Sequence, residues 1–381
     1  MRSALTKFQK YFSFPEEEAY FNCAAHGPLS KPASNAVLAG LRDKENPKKM
    51  DQGYGLDHVK SCRRALSQLI DWPESKIALA NSTSWGVNTV VRGLKLKPGD
   101  EVVFFEGQFP SNVVPWELLK GEGISCVKVP SPGFVADIKA LEKTLTSKTK
   151  IVSLEWVHFV SGDRIPLQEI TEICHKKDIL VLVDITQGLG ALPFSMKEMG
   201  VDAVACSGYK WLYSPYGTGF FALNDNLFEK LSPFYLNWLS LDSGWSDNLC
   251  NLKIEDLYTS AHRFDTSSQM GYLNLDGLTA SVEMLNTFDI AENFKGVLNL
   301  VYQLREELNP QIFKPLNCGL ESRQSLIATF KIEGFDSLKL ISDLERNGIT
   351  TCLRNGHIRI SPSIYNDSEQ VTRLCRIANN Q

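Results

Sequence analysis

The most constraining stretch of this chain runs from Ile179 to Leu212, ILVLVDITQGLGALPFSMKEMGVDAVACSGYKWL. Two short apolar runs in it, ILVLVD and AVACS, lack the polar alternation of a half-exposed strand and read as strands buried on both faces. The first closes on Asp184, with Gln187 just beyond. The second closes on Ser207, with Tyr209 and Lys210 just beyond. A charge at the end of a buried strand is costly unless it is paired or used. A structural Lys–Asp ion pair and a reaction centre are therefore the two explanations for this stretch.

The same texture continues on both sides. The apolar runs KIALA, DEVVFFE, ISCVKVP, KIVSLEWV and FFALN alternate with helical patterns such as LDHVKSCRRALSQLID and LQEITEICHKKD. That alternation predicts an α/β fold: a mainly parallel, seven-stranded sheet with helices on both faces. Ligands of such sheets sit beyond the C-terminal strand ends, and Asn81 to Ser84, Asp184 and Lys210 all fall there. The turn NSTSWGVN enters a helix, so its hydroxyls and free N–H groups suit a phosphate as well as ordinary N-capping. Further on, a long helix over about residues 280–308 leads into LIATFKI, FDSLKLISDLERNG, ITTCL, HIRIS and SEQVTRLCRIA, the pattern of a smaller α+β domain. The expected division is a large domain over residues 51–285, a small C-terminal domain over 286–381, and an N-terminal segment, 1–50, packing with the small domain.

Composition narrows the function classes. The chain has 381 residues and a formal net charge of -4, which gives no electrostatic reason to expect nucleic acid or an anionic membrane as partner. No apolar run reaches membrane-spanning length, and the first residues carry no signal-peptide pattern. Nine scattered cysteines without a CxxC pair fit reduced thiols and a cytoplasmic location. Gly217-Thr218-Gly219-Phe220-Phe221-Ala222 fits GxGxxA but enters a strand, so a dinucleotide reading lacks its context. No metal-ligand motif such as HExxH is present.

A lysine, an acid and a phosphate-type turn at one sheet edge match the needs of pyridoxal 5′-phosphate. Its aldehyde takes a lysine amine, its ring nitrogen a carboxylate, its phosphate hydroxyls and N–H groups, and its ring face an aromatic cover. Lys210, Asp184, the Ser82–Ser84 turn and several aromatics are available.

The run VDITQGLGALPFSMKEMGVDAVACSGYKWLYSPYGTGFFAL resembles the class V aminotransferase family of pyridoxal-phosphate enzymes, which includes cysteine desulfurases, kynureninases and isopenicillin-N-epimerase-like proteins. YFNCAAHGPL, NSTSWGVN, EGQFPSNVVPW, VSGDRIPL, HRFDTSS and GHIRISPSIYN are similar to further family segments, in the same order. The resemblance implies Lys210 as the catalytic lysine that holds the cofactor aldehyde and moves the substrate Cα proton. It implies Asp184 at the pyridine N–H and Gln187 at the phenolic oxygen. Ser207, Tyr209, Thr83 and Ser84 would hold phosphate, and Phe109 would stack on the ring. Arg359 would take the substrate carboxylate, and His26 would line the substrate side. Ser268 would reach the cofactor of a neighbouring subunit in a homodimer with shared active sites. DITQ stands where the family often has DGAQ, and Phe159 or His158 where it has an asparagine. Cys352 reads as a core residue and not as a persulfide carrier. The implied function is chemistry at the Cα of an amino-acid substrate, with transamination expected first. Cβ-lyase or desulfurase-like chemistry, epimerisation and a non-catalytic role are the alternatives.

Overall fold

The computed structural model describes residues 6–15, 17–46, 48, 54–245, 249–266, 272–317 and 319–380. Its centre is a seven-stranded sheet: β1 Ile77–Ala80, β2 Glu101–Phe105, β3 Ser125–Val129, β4 Thr149–Glu155, β5 Leu180–Asp184, β6 Ala203–Ser207 and β7 Gly219–Leu223. All seven runs anticipated from sequence form strands. The spatial order is β1-β7-β6-β5-β4-β2-β3. The pairs from β6 through β3 are parallel, whereas β7 is antiparallel to both β6 and β1. Two reversals leave β1 pointing the same way as β6. Its C-terminal end therefore joins the ends of β5 and β6 at one edge.

Both sheet faces are dry. Val103, Phe105, Val152, Leu154, Val181 and Val183 join one core cluster, while Val102, Phe104, Ile151, Leu180 and Leu182 join another. The period-2 geometry of a strand sends successive side chains to opposite faces, so unbroken apolar runs are what a doubly covered sheet requires. Helix α1, Thr83–Gly93, lies against the sheet, and Gly86 permits its approach: an added Cβ would come within 2.8 Å of Ala205 Cβ. This closeness carries the helix N-terminus to the end of β6.

The long helix expected over residues 280–308 is two helices, α2 Tyr272–Asn286 and α3 Ile290–Glu307. The break is local chemistry. Asp289 takes extended φ/ψ, and its side chain accepts the Glu292 N–H, starting a new helix. Beyond it lies a four-stranded antiparallel sheet of β8 Phe313–Pro315, β9 Ala328–Ile332, β10 Cys352–Arg354 and β11 His357–Ile360, in the order β10-β11-β9-β8. The run ITTCL is divided. Ile349–Thr350 pairs in parallel with Ala19–Tyr20, and Cys352–Arg354 pairs with β11. Asn22 also bridges Ser361, so the N-terminal segment is stitched to the C-terminal one. No helix among the described residues is long and apolar enough to cross a membrane.

Candidate active site

At the shared strand ends lies a partly open cavity. Its lining brings together Thr83, Ser84, Phe109, Asp184, Gln187, Ser207, Tyr209 and Lys210, all singled out from sequence.

Asp184 closes β5. Its Oδ1 accepts the Thr186 N–H (2.9 Å), a bond to the backbone two residues on, and its Oδ2 accepts from Asn112 Nδ2 (3.0 Å). Both carboxylate oxygens are thereby aimed. Gln187 is pinned on both ends of its amide, donating to Ala24 O (3.0 Å) and accepting from Trp211 Nε1 (3.0 Å). One amide N–H remains for the cavity.

The start of α1 is a ring of hydroxyls. Thr83 N–H donates to Ser207 Oγ (2.9 Å), and Thr83 Oγ1 lies 3.0 Å from Ser207 Oγ and 2.6 Å from Thr186 Oγ1. Ser207 N–H donates to Thr186 Oγ1 (3.2 Å), and Ser84 Oγ donates to Ser111 Oγ (3.1 Å). Ser82 occupies the N-cap position without capping, because its hydroxyl donates to Asn81 Oδ1 (2.9 Å). The helix N-terminus is left open to an anion. Thr186 is one of the two residues by which DITQ differs from DGAQ, and its hydroxyl knits the turn after β5 to the turn before α1.

Lys210 is buried, with Nζ 5.3 Å from the Phe109 ring centre and 5.5 Å from that of Tyr209. No carboxylate among the described residues pairs directly with it, which sets aside the structural ion pair. Burial brings its pKa down from 10.5 to about 8; Asp184 opposes the shift and Arg359 adds to it. A good part of the amine is then neutral near physiological pH, as a nucleophile or base requires. The backbone at this point is held closely. Gly27 N–H donates to Tyr209 O (2.9 Å), and a Cβ on Gly27 would lie 1.8 Å from Lys210 O.

Arg359 belongs to the other sheet; it is not among the cavity-lining residues and touches the cavity wall through Phe159. Strand β11 lies between β9 and β10, with Thr329 and Cys352 opposite Arg359 in register. The guanidinium is buried and donates from one Nη to Phe159 O (2.7 Å); its Nε and its other Nη have no carbonyl or carboxylate partner, and the Cys352 side chain opposite interacts with the group. A buried cation with open donors is costly until a carboxylate arrives.

Three lining residues escaped the sequence reading, Ser111, Glu155 and Thr186, as did Asn112, which donates to Asp184 from outside the lining. Glu155 ends β4 directly beside Asp184 in the register, and burial, then the Asp184 charge, push its pKa well up. An acid closing an apolar strand was the signal that had marked Asp184, and it applies equally to Glu155. Phe159 meets Phe109 edge-on, with ring centres 5.3 Å apart. His158 turns away from the cavity. Its Nδ1 accepts the Val160 and Ser161 N–H groups, its Nε2 lies 3.0 Å from Gly107 O, and burial lowers its pKa to about 4, so it is neutral.

His26 stands exposed, outside the cavity-lining ring, with Nδ1 2.6 Å from Tyr216 Oη. Ser268 lies outside the described residues. Cys352 is half-buried opposite Arg359 and is not a core residue.

The donor set fits pyridoxal phosphate. A partly neutral lysine faces an aromatic cover, an aimed carboxylate stands beneath, and an uncapped helix N-terminus is lined with hydroxyls.

Comparison with known proteins agrees with this geometry. A probable cysteine desulfurase of Chlamydia trachomatis is 31% identical over 298 residues, covering 72% of this chain and 70% of that protein. Cysteine desulfurase CsdA of Escherichia coli is 27% identical over 303 residues, covering 76% and 71%. Among solved structures, the cystine C–S lyase C-DES in complex with its product cysteine persulfide superposes with a TM-score of 0.85 at 21% identity, covering 96% of this chain and 98% of that one. That likeness speaks to fold alone. The family model described as Aminotransferase class-V matches residues 53–378. With that match spanning most of its length, this chain belongs to the class V aminotransferase family of pyridoxal-phosphate-dependent enzymes.

Proposed function

We propose that the protein is a Cβ–S lyase acting on a sulfur-containing α-amino acid. The transaminase expectation yields to its alternative because the relatives described above, those of Chlamydia trachomatis and Escherichia coli, are cysteine desulfurases. The observation that carries the reading is the pairing of a partly neutral Lys210 with the open donors of Arg359, which fix an amino acid's Cα proton and carboxylate respectively. Elimination is favoured over a persulfide relay by the described thiols around the cavity. Cys23 is buried with its pKa pushed up to about 12, Cys206 is buried with its pKa raised well above normal, and Cys352 is held in a paired strand.

Bound pyridoxal phosphate supplies the electron sink for the pair left when the Cα proton departs. In this proposal Arg359 clamps the α-carboxylate and Lys210 takes the Cα proton. Asp184, held by Asn112 and Thr186, faces the ring nitrogen. Thr83, Ser84, Thr186 and Ser207 hold the phosphate, and Phe109 and Phe159 shield the reacting face from water. The Cβ–S bond breaks with its electrons going to sulfur, and water converts the three-carbon fragment to pyruvate and ammonia. For L-cystine the balance is cystine plus water to pyruvate, ammonia and cysteine persulfide, with no net oxidation. A homodimer is part of the proposal, supported by the exposed Phe234, Tyr235, Leu236 and Trp238.

The test is product analysis of the holoenzyme with L-cysteine, L-cystine and S-ethyl-L-cysteine. Pyruvate and ammonia in equal amounts are expected. Alanine with sulfur left on the protein would convert the reading to desulfuration. Stoichiometric pyridoxamine phosphate would overturn it in favour of transamination.

A further inference from the structure

The β10–β11 hairpin is joined by Asn355-Gly356, both at positive φ (50° and 79°), the tight turn that fixes register between paired strands. Cys352 stands opposite Arg359, and Arg354 opposite His357. Alternate residues share a face, so Cys352, Arg354, His357 and Arg359 form one face. The other face, Leu353, Ile358 and Ile360, packs into the main core. The hairpin thus presents a second arginine beside the buried one, displaced by two residues, about 7 Å along the strand.

This face has no acid to answer its charge. Arg354 is half-buried, and its hydrogen bond goes to the carbonyl of its own neighbour, Leu353 (2.9 Å). Among the described residues no carboxylate forms an ion pair with Arg354 or Arg359. His357 Nδ1 is buried without a partner, and two nitrogens of Arg359 without a carbonyl or carboxylate partner. His26 has its pKa lowered by partial burial and then by Lys210, Arg354 and Arg359, so both arginines and the lysine lie within electrostatic reach of one imidazole. An α-amino acid brings one carboxylate for Arg359. The register places a second arginine, Arg354, on the same hairpin face, two residues along from Arg359.

We propose that Arg354 is a specificity-determining residue, and that the substrate is an amino acid with a second carboxylate at the far end of its side chain. Taken with the Cβ–S lyase reading on which it rests, this selects L-cystine or an S-conjugate of similar length and charge over L-cysteine. Arg354 binds the distal carboxylate as Arg359 binds the α-carboxylate. It takes no part in proton transfer.

Two pairs of compounds test this in the holoenzyme, each in wild type, Arg354→Gln and Arg354→Lys. The first compares turnover of L-cystine with S-ethyl-L-cysteine. In Arg354→Gln the preference in kcat/KM for cystine falls roughly ten- to hundredfold, carried by KM, with partial recovery in Arg354→Lys. The second compares binding of L-2-aminoadipate and L-norleucine, followed by the visible spectrum of the cofactor, and needs no elimination. The aminoadipate preference collapses by a similar factor in Arg354→Gln. If wild type releases pyruvate but neither preference responds to Arg354, the inference is wrong and the lyase reading stands. If no sulfur amino acid is cleaved but the aminoadipate preference depends on Arg354, the lyase reading fails and the inference stands. Equal losses for both members of each pair would make Arg354 merely structural and overturn the proposal.

Discussion

The sheet edge that lines the cavity and the hairpin that touches its wall through Arg359 and Phe159 are built on opposite principles. At the sheet edge the groups assigned to the cofactor are answered from within the chain, while Glu155 Oε1 and Asn112 Oδ1 are buried without a hydrogen-bond partner. Asp184 is held by Asn112 and the Thr186 N–H, Gln187 by Ala24 and Trp211, and Ser207 by Thr83 and Thr186. On the hairpin, Arg359 keeps two buried nitrogens without a carbonyl or carboxylate partner, and Arg354 makes no ion pair among the described residues. A saturated network is preorganised and costs nothing to assemble when a ligand binds. An unsaturated buried cation holds its desolvation cost in reserve, and a carboxylate relieves it on arrival. The difference separates a permanent cofactor side from an exchanging substrate side.

The sharpest break of that contrast is Arg359→Leu. The unsaturated side should lose function and gain stability together. We expect kcat/KM to fall roughly 10²- to 10³-fold, because the α-carboxylate loses a buried charged partner. The thermal midpoint of the apoenzyme should rise, with a gain of about 1 kcal/mol once Phe159 O is left unpaired. Calorimetry and steady-state kinetics on the same preparation decide it. A variant that is both inactive and destabilised would mean that Arg359 is structurally satisfied in solution.

The second break concerns Lys210, which belongs to neither side fully. Its pKa lies near 8 because burial outweighs Asp184. Only the neutral amine attacks an aldehyde, so capture of pyridoxal phosphate by the apoenzyme should speed up tenfold per pH unit below about 8 and level off above it. Stopped-flow absorbance reads the rate, and a profile rising unchanged to pH 10 would refute the depressed pKa. Between about 8 and 10.5 the unfolded lysine is protonated and the folded one is not, so this group's contribution to stability rises with pH through that window.

Much of this arrangement was readable in the chain because it is local. The run ILVLVD must be a buried strand, a strand must end, and the residues just past its end face the ligand edge. That reasoning reached Asp184, Lys210 and the Thr83 turn without coordinates. It did not reach Asn112, whose partner Asp184 is 72 residues away. It also missed the Arg323–Asp163 ion pair, 160 residues apart, that ties the loop between β8 and β9 to the loop after β4. Such contacts depend on tertiary approach, which no period in the sequence encodes. The helix break at Asp289 was missed for another reason: an apolar pattern on both sides concealed a capping aspartate that propensity alone would have marked.

The smallest effect, and the finest test of the saturated side, is Thr186→Val. The substitution keeps shape and removes one hydroxyl, which accepts the Ser207 N–H and lies 2.6 Å from Thr83 Oγ1. Valine leaves the buried Ser207 N–H without a partner, while Thr83 Oγ1 keeps Ser207 Oγ at 3.0 Å, at a cost of about 1–3 kcal/mol. The loss should appear in the apoenzyme, as a lower thermal midpoint. Affinity for the cofactor should fall only roughly tenfold, because Ser207 and the start of α1 remain in place. Arg359→Leu should move stability the other way. If Thr186→Val instead leaves apo stability unchanged and weakens only cofactor binding, the hydroxyl ring forms around the phosphate and not ahead of it. The cofactor side would then be as dependent on its ligand as the substrate side.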